Sequence, residues 1–350
     1  MGVRRVIIGL NRHDTKTTRP PLYNLGDLPG AFAPRHLKAT GATAMTTTTV
    51  NPLQLFDRRA VRRFRARAAR HWGPADFLVR EVAERLADRL DDVTRKFPLA
   101  LDLGCRDGVL ARTLHGRGGI ETLVAMDSAW DFAWRAPAPR LVGEAEALPF
   151  KPQSFDLVVS ALDLHHANDL PGALLQLRQV LKPDGLLLAA LFAGETLAGL
   201  RRAWIEAELE EEGGAGIRVA PFADVRDLGA LLQRAGLALP VVDSDTVEAT
   251  YDHPLKLMRD LRDMGESNAA AERRRTFTRR RTLARAIELH AAASARPDGR
   301  VAARFEIVTL TAWAPHESQQ KPLRPGSAMA RLADALNTVE HSAGDKAAPE

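Results

Sequence analysis

Beyond Phe97 the chain alternates short apolar runs with stretches of helical periodicity, and this alternation restricts the fold more tightly than any other feature of the sequence. LALDLG, ETLVAMD, FDLVVSALD and GLLLAALF have the length and continuous apolar character of strands buried on both faces. Between them, LARTLH, the stretch from Trp130 to Trp134 and LPGALLQLRQVL carry helical patterns. A parallel pair cannot be joined by a tight turn, so strands separated by helices imply a mostly parallel, doubly wound α/β sheet. Two later runs, LPVVDSDTVEAT (239–250) and RVAARFEIVTLTAWA (300–314), are longer and alternate more, which suits an antiparallel pair at the sheet edge.

Before that frame, Val61, Phe64 and Ala68, then Phe77, Val82, Leu86 and Leu90, mark an apolar helical stripe divided by Gly73-Pro74. Its first helix carries seven arginines between Arg58 and Arg70, either a solvated face or a grip on phosphate or lipid headgroups, the latter giving peripheral membrane contact. Only Phe64 lies among them, fewer aromatic residues than single-strand nucleic-acid binding favours. Residues 254–296 form an arginine-rich helical insertion between the two edge strands. The expected organisation is a disordered leader over 1–50, one domain over 51–328 and a flexible tail over 329–350. Met45, directly before TTTTVNPLQLFDRR, is an alternative translation start.

The formal charge of +5 resides in the first 44 residues, which hold seven Lys or Arg against two Asp and leave 42 charges of each sign elsewhere. Overall basicity is therefore no argument for a nucleic-acid partner, and none is expected. One cysteine, Cys105, excludes an internal disulfide framework and fits a reducing compartment. The longest apolar stretch, GLLLAALFAG at 185–194, is about half of the roughly 20 residues that a membrane span needs. MGVRRVIIGL has the basic start of a signal peptide but too short an apolar run to act as one.

ALDLGCRDG (100–108) ends a buried strand with an acid and follows it with a glycine-punctuated turn into a helix. Glycine permits close backbone approach to a ligand, and the helix N-terminus offers free N–H groups to an anion such as a carboxylate. The dinucleotide fingerprint needs glycine at 106 and 109, where Arg106 and Val109 stand, so a nicotinamide cofactor is disfavoured. Asp127 ends the next strand, where a carboxylate accepts ribose hydroxyls. Glu144 in GEAEALPFKPQSFDLVV is an acceptor for an adenine amino group, and ALDLHHANDLPGALLQLRQVLKPDG (161–185) completes the run. In order and spacing these motifs resemble the class I, Rossmann-like, S-adenosylmethionine-dependent methyltransferases, which implies a seven-stranded sheet and that cofactor. Asp102, Gly104 and Gly108 match the glycine motif and Arg106 departs from it. The Arg106 side chain is expected either to crowd the cofactor or to pair with its carboxylate.

Asp163 and His165 are the candidate general bases on the loop after the fourth strand. No metal centre is expected, because adjacent histidines on one short loop do not supply three converging ligands. Further pieces, LFDRR (55–59), FPLALDLG (97–104), FAGETL (192–197), PFADVRDLGALLQRAG (221–236), MGESN (264–268) and HESQQKPLRPGSA (316–328), are similar to the complex I assembly factor five family and its bacterial relatives. That resemblance implies hydroxylation of a protein arginine on an iron-sulfur subunit of respiratory complex I. It also implies a cytoplasmic location, peripheral at the inner membrane, or the mitochondrial matrix in a eukaryote. A conventional methyltransferase and a catalytically silent assembly chaperone are the alternatives. Glu195 of FAGETL and Glu266 of MGESN are the acids expected to hold a cationic arginine, Glu195 because open parallel sheets bind ligands at strand carboxyl ends.

Overall fold

Burial on both faces sets the middle of the sheet. The computed structural model describes residues 54–320 together with Ile8–Gly9 and residues 337–338. Its strands are β1 (Ile8–Gly9), β2 (Leu99–Leu103), β3 (Thr122–Asp127), β4 (Arg140–Val142), β5 (Phe155–Ala161), β6 (Leu181–Phe192), β7 (Ala238–Tyr251) and β8 (Val301–Trp313). They form one sheet in the order β1-β4-β3-β2-β5-β6-β8-β7. Strands β4, β3, β2, β5 and β6 run parallel, as the buried apolar runs require, and β8 joins β6 and β7 antiparallel. Apart from the two-residue β1, this is the expected seven-stranded, mostly parallel class I methyltransferase arrangement. β1 falls in the leader expected to be disordered, and it pairs antiparallel with β4. The rest of the leader, Met45 and the 329–350 tail apart from residues 337–338 lie outside the described residues.

Before β2 come α1 (Arg58–Ala68), α2 (Trp72–Ala75) and α3 (Phe77–Asp91), so the Gly73-Pro74 divider is itself a short helix. Asp57 caps α1, accepting from the Arg59 and Ala60 backbone N–H groups at 3.0 and 3.1 Å. The crossovers carry α4 (Val109–Thr113), α5 (Trp130–Ala133) and α6 (Leu170–Val180). Helices α7 (Ala198–Glu212) and α8 (Val225–Arg234) link β6 to β7, and α9 (Pro254–Asp263) and α10 (Arg280–Ala293) form the insertion before β8. The sheet order reverses at β2, whose neighbours are β3 and β5; a crevice outside the strand carboxyl ends there is where open α/β sheets bind ligands.

The chain divides into two compact units, Met1–Pro315 and His316–Glu350. In the second, the described residues form a turn in which His316 Nδ1 meets Ser318 Oγ at 2.7 Å.

Candidate functional site

Three carboxylates converge at the switch point. Asp102, at the end of β2, is fully buried, and neither of its side-chain oxygens has a hydrogen-bond partner among the described residues. Burial and the nearby carboxylates of Asp127, Asp163 and Asp107 push its pKa well above the ordinary value. Asp127, at the end of β3, accepts from the backbone N–H groups of Ala129 at 2.8 Å and Arg106 at 3.1 Å. Asp163 packs into the space that a side chain on Gly104 would need. Gly104 (φ 76°) and Gly108 (φ 87°) take the left-handed conformation in which a side chain is strained, so their glycines answer a local backbone requirement.

Helix α1 closes this cleft. Arg58, Arg62 and Arg65 recur at four and three residues, which places them on one helix face. Arg65 is 1% exposed and pairs with Asp163 and, at 3.5 Å, with Asp127. Arg58 reaches Glu144 at 3.2 Å and Glu146 at 2.8 Å, and Arg62 lies 3.6 Å from Glu144. Three of the seven arginines therefore face the carboxylates of the fold itself, a third outcome beside solvation and an anionic partner. Burial pushes the Asp163 carboxyl up, but the charges of Arg65 and Arg106 hold it below the ordinary value. A cavity of about 50 Å³ remains among α1, Gly104, Asp127, Gly143, Glu144 and Asp163.

A second cluster lies beside the first. Leu162 (φ 54°) turns the chain after β5 into a single 3₁₀ turn, Leu164–His166, which directs both histidines under the insertion. The MGESN segment comes to meet them. Gly265 (φ 85°) passes α1 so closely that an added Cβ would stand 3.3 Å from Ala68 Cβ. Ser267 accepts from Arg67 at 2.8 Å, and the Asn268 side chain donates to the Ile217 carbonyl at 2.7 Å. Glu266 Oε2 then lies 3.0 Å from His165 Nε2 and 3.7 Å from His166 Nε2, and its Oε1 accepts from Arg106 Nη2 at 2.8 Å.

Arg106 adopts neither expected side-chain placement. Its backbone is left-handed (φ 51°), but its guanidinium is buried against Glu266 and the Leu162 carbonyl, with the rings of Trp72 and Phe132 each 5.6 Å away. Burial and the repulsion of Arg65 depress its pKa, although Glu266 opposes them. Burial also drives His166 down to about 3, so it is neutral at physiological pH. For Glu266, burial pushes the pKa up, but His165, His166 and Arg106 together hold it far below the ordinary value.

A cavity of about 330 Å³ opens against His166 and Glu266, walled by Phe192, Trp204, Phe222 and Phe305. Glu195 does not border it. After β6 ends at Phe192, the turn sends Thr196 and Leu197 inward, and Glu195 stands exposed in an outer groove with Arg202 and Glu306. The expectation that His165 and His166 lack a converging third ligand also changes. Glu266, 101 residues further along the chain, supplies one, and no local spacing pattern records it.

A family model described as a methyltransferase domain matches residues 101–189, the segment carrying Asp102, Asp127 and the two histidines. The chain is 40% identical over 307 residues to the mitochondrial arginine-hydroxylase NDUFAF5 of Danio rerio, across 86% of this chain and 95% of that protein. The Homo sapiens counterpart is also 40% identical, over 89% of each chain. A malonyl-[acyl-carrier protein] O-methyltransferase of Halorhodospira halophila is 39% identical over 74% of this chain and 89% of its own length. With nearly the whole of the hydroxylase relatives covered at this identity, the chain belongs to the NDUFAF5 arginine-hydroxylase family within the methyltransferase-fold enzymes.

Proposed function

We propose that this protein is an S-adenosylmethionine-binding enzyme that hydroxylates an arginine of a protein substrate, an iron-sulfur subunit of respiratory complex I during its assembly. The observation that carries this reading is the 40% identity to NDUFAF5 over 95% of that relative's length. The cofactor would be held by Asp102, Gly104, Gly108, Asp127 and Glu144. The chemistry of these residues fits it: a buried, unpartnered carboxylate at Asp102 and two left-handed glycine positions suit a ligand with a cationic amino group and a close backbone approach. The 50 Å³ cavity is smaller than such a cofactor, so binding requires the α1 arginines on Asp127, Asp163 and Glu144 to give way. When bound, the cofactor supplies a sulfonium centre carrying a transferable methyl group.

The 330 Å³ cavity suits an arginine side chain, with aromatic walls for its guanidinium face and Thr196, Ser267 and Asn268 for its N–H groups. Arg59 and Arg63, beside Arg275 in a basic groove, are the part of α1 left to contact an anionic partner or membrane surface. Among the described residues no helix is long and apolar enough to cross a membrane. Catalysis where complex I is assembled, at the inner membrane or in the matrix, agrees with the mitochondrial label of the relatives.

Methyl transfer is a second reading, favoured by the 39% identity to a malonyl-[acyl-carrier protein] O-methyltransferase; Asp163 and His165 would then be its bases. Mass spectrometry of the complex I iron-sulfur subunits from deletion and parental cells separates the readings. One added oxygen on an arginine is expected; an added methylene supports methyl transfer, and an unmodified arginine supports a catalytically silent assembly chaperone.

A further inference from the structure

We propose that His165, His166 and Glu266 form a binding site for a divalent first-row transition metal, with iron(II) the metal best matched to the donor set. Two imidazoles and one carboxylate on one side of an ion, with its other positions open, are the ligands that non-haem iron(II) sites use. The three donor atoms lie within 4.8 Å of one another. Ligands about 2.1 Å from a metal and at right angles to each other stand about 3.0 Å apart. His165 Nε2 and Glu266 Oε2 already have that separation, 3.0 Å, and His166 Nε2, 3.7 Å from Glu266 Oε2, would have to move inward.

The donors come from two opposed elements, the turn after β5 and the MGESN segment, so they close on an ion from different directions. The second shell is built on the carboxylate side. Arg106 holds Oε1 at 2.8 Å and leaves Oε2 to the histidines, so Arg106 is a positioning residue for the ligand set. The Nδ1 atoms of both histidines are buried with no hydrogen-bond partner among the described residues, which limits the affinity that the imidazoles contribute. The 330 Å³ cavity meets His166 and Glu266 and gives the ion open positions, as a reactive site requires and a purely structural one does not.

This inference goes beyond the proposed function, and its readout is metal occupancy, so it stands or falls separately from the mass of the arginine product. The full-length protein is stripped with a chelator and titrated anaerobically with iron(II), and in parallel with cobalt(II) as an optical reporter. One metal per chain, with a cobalt spectrum of nitrogen and oxygen ligation, is expected. His166→Ala and Glu266→Gln should each weaken binding by at least about tenfold at an unchanged fold, and Arg106→Lys by about tenfold. Replacing the exposed His115 by alanine should leave binding as it is. Substoichiometric metal in the wild-type protein, a cobalt spectrum without histidine ligation, or undiminished binding in the His166→Ala, Glu266→Gln double variant would overturn the site. The wild-type cobalt spectrum decides the matter even where a variant fails to fold.

Discussion

The cleft over β2 and β3 and the cluster under the insertion distribute charge in opposite ways. In the cleft, the carboxylates of Asp127 and Asp163 share one buried guanidinium, that of Arg65, and Asp102 has no partner at all among the described residues. In the cluster, the single carboxylate of Glu266 is contacted by Arg106 and two imidazoles. An acid-rich cleft gains by admitting a cationic ligand, because desolvated carboxylates repel one another until a positive charge arrives. A saturated carboxylate among imidazoles gains only from a cation that its neighbours can ligate together with it. Chemically different ligands are thus selected a few residues apart by the ratio of acids to their partners.

Removing an acid from the poorer-served region should have the largest effect. Asp127→Ala takes away one carboxylate from Arg65 and strands the N–H groups of Arg106 and Ala129, so urea denaturation should show a loss of about 3–5 kcal/mol together with loss of S-adenosylmethionine binding. Stability within error of the parent would mean that the cleft does not depend on its charge pairing. Removing the opposing cation should act the other way on the ligand. For Arg65→Gln, calorimetry should find the cofactor bound about tenfold more tightly, ~1.4 kcal/mol, because the acids lose their internal substitute. Weaker binding would place Arg65 among the groups that hold the cofactor.

The stitch between the two regions is smaller. Asp57 caps α1 and accepts from Arg273 of the insertion at 3.0 Å, so Asp57→Ala should cost about 1 kcal/mol. Burial raises the pKa of Asp57, but Arg273 and the cap N–H groups lower it further, leaving the folded value below 3.8. Its contribution is accordingly present above that pH and lost as pH falls through the folded value. Denaturation curves of parent and variant should therefore converge in acid; a constant gap would show that the carboxylate charge is not what the cap uses.

Arg106→Gly sharpens the comparison most selectively. Glycine keeps the backbone N–H to Asp127 and is at ease at φ 51°, so cofactor affinity should change by no more than about twofold, ~0.4 kcal/mol, while metal occupancy falls. Equal loss of both ligands would merge the two regions into one site. The smallest effect belongs to Glu195→Gln, where the exposed side chain should change stability by less than about 0.5 kcal/mol and leave the arginine product intact. Loss of that product would return Glu195 to the substrate path.

Asp102, Gly104, Gly108 and Asp127 were legible because a strand, a turn and a helix start are local and their spacing is fixed by backbone geometry. The parallel core and the antiparallel β7–β8 pair followed from apolar pattern for the same reason. β4 escaped notice because three residues between Pro139 and Gly143 carry too little pattern to separate strand from loop. The role of Arg65 was available in the 58, 62, 65 spacing, which puts the three arginines on one face, but the acids that they meet belong to other elements. Glu266 was visible only as part of MGESN, a segment without chemistry of its own until Gly265 and Asn268 fix its path against α1 and Ile217.

Arg106 belongs to both regions at once. Its backbone N–H is bonded to Asp127 and its guanidinium to Glu266, so one residue's position enters the free energy of either ligand. Thermodynamic linkage is symmetric: by whatever factor occupancy at Asp127 alters metal affinity at Glu266, the metal must alter cofactor affinity by the same factor. An arginine in place of the motif's middle glycine would thus couple the two ligands, and the order in which they arrive cannot change the energy of the loaded protein.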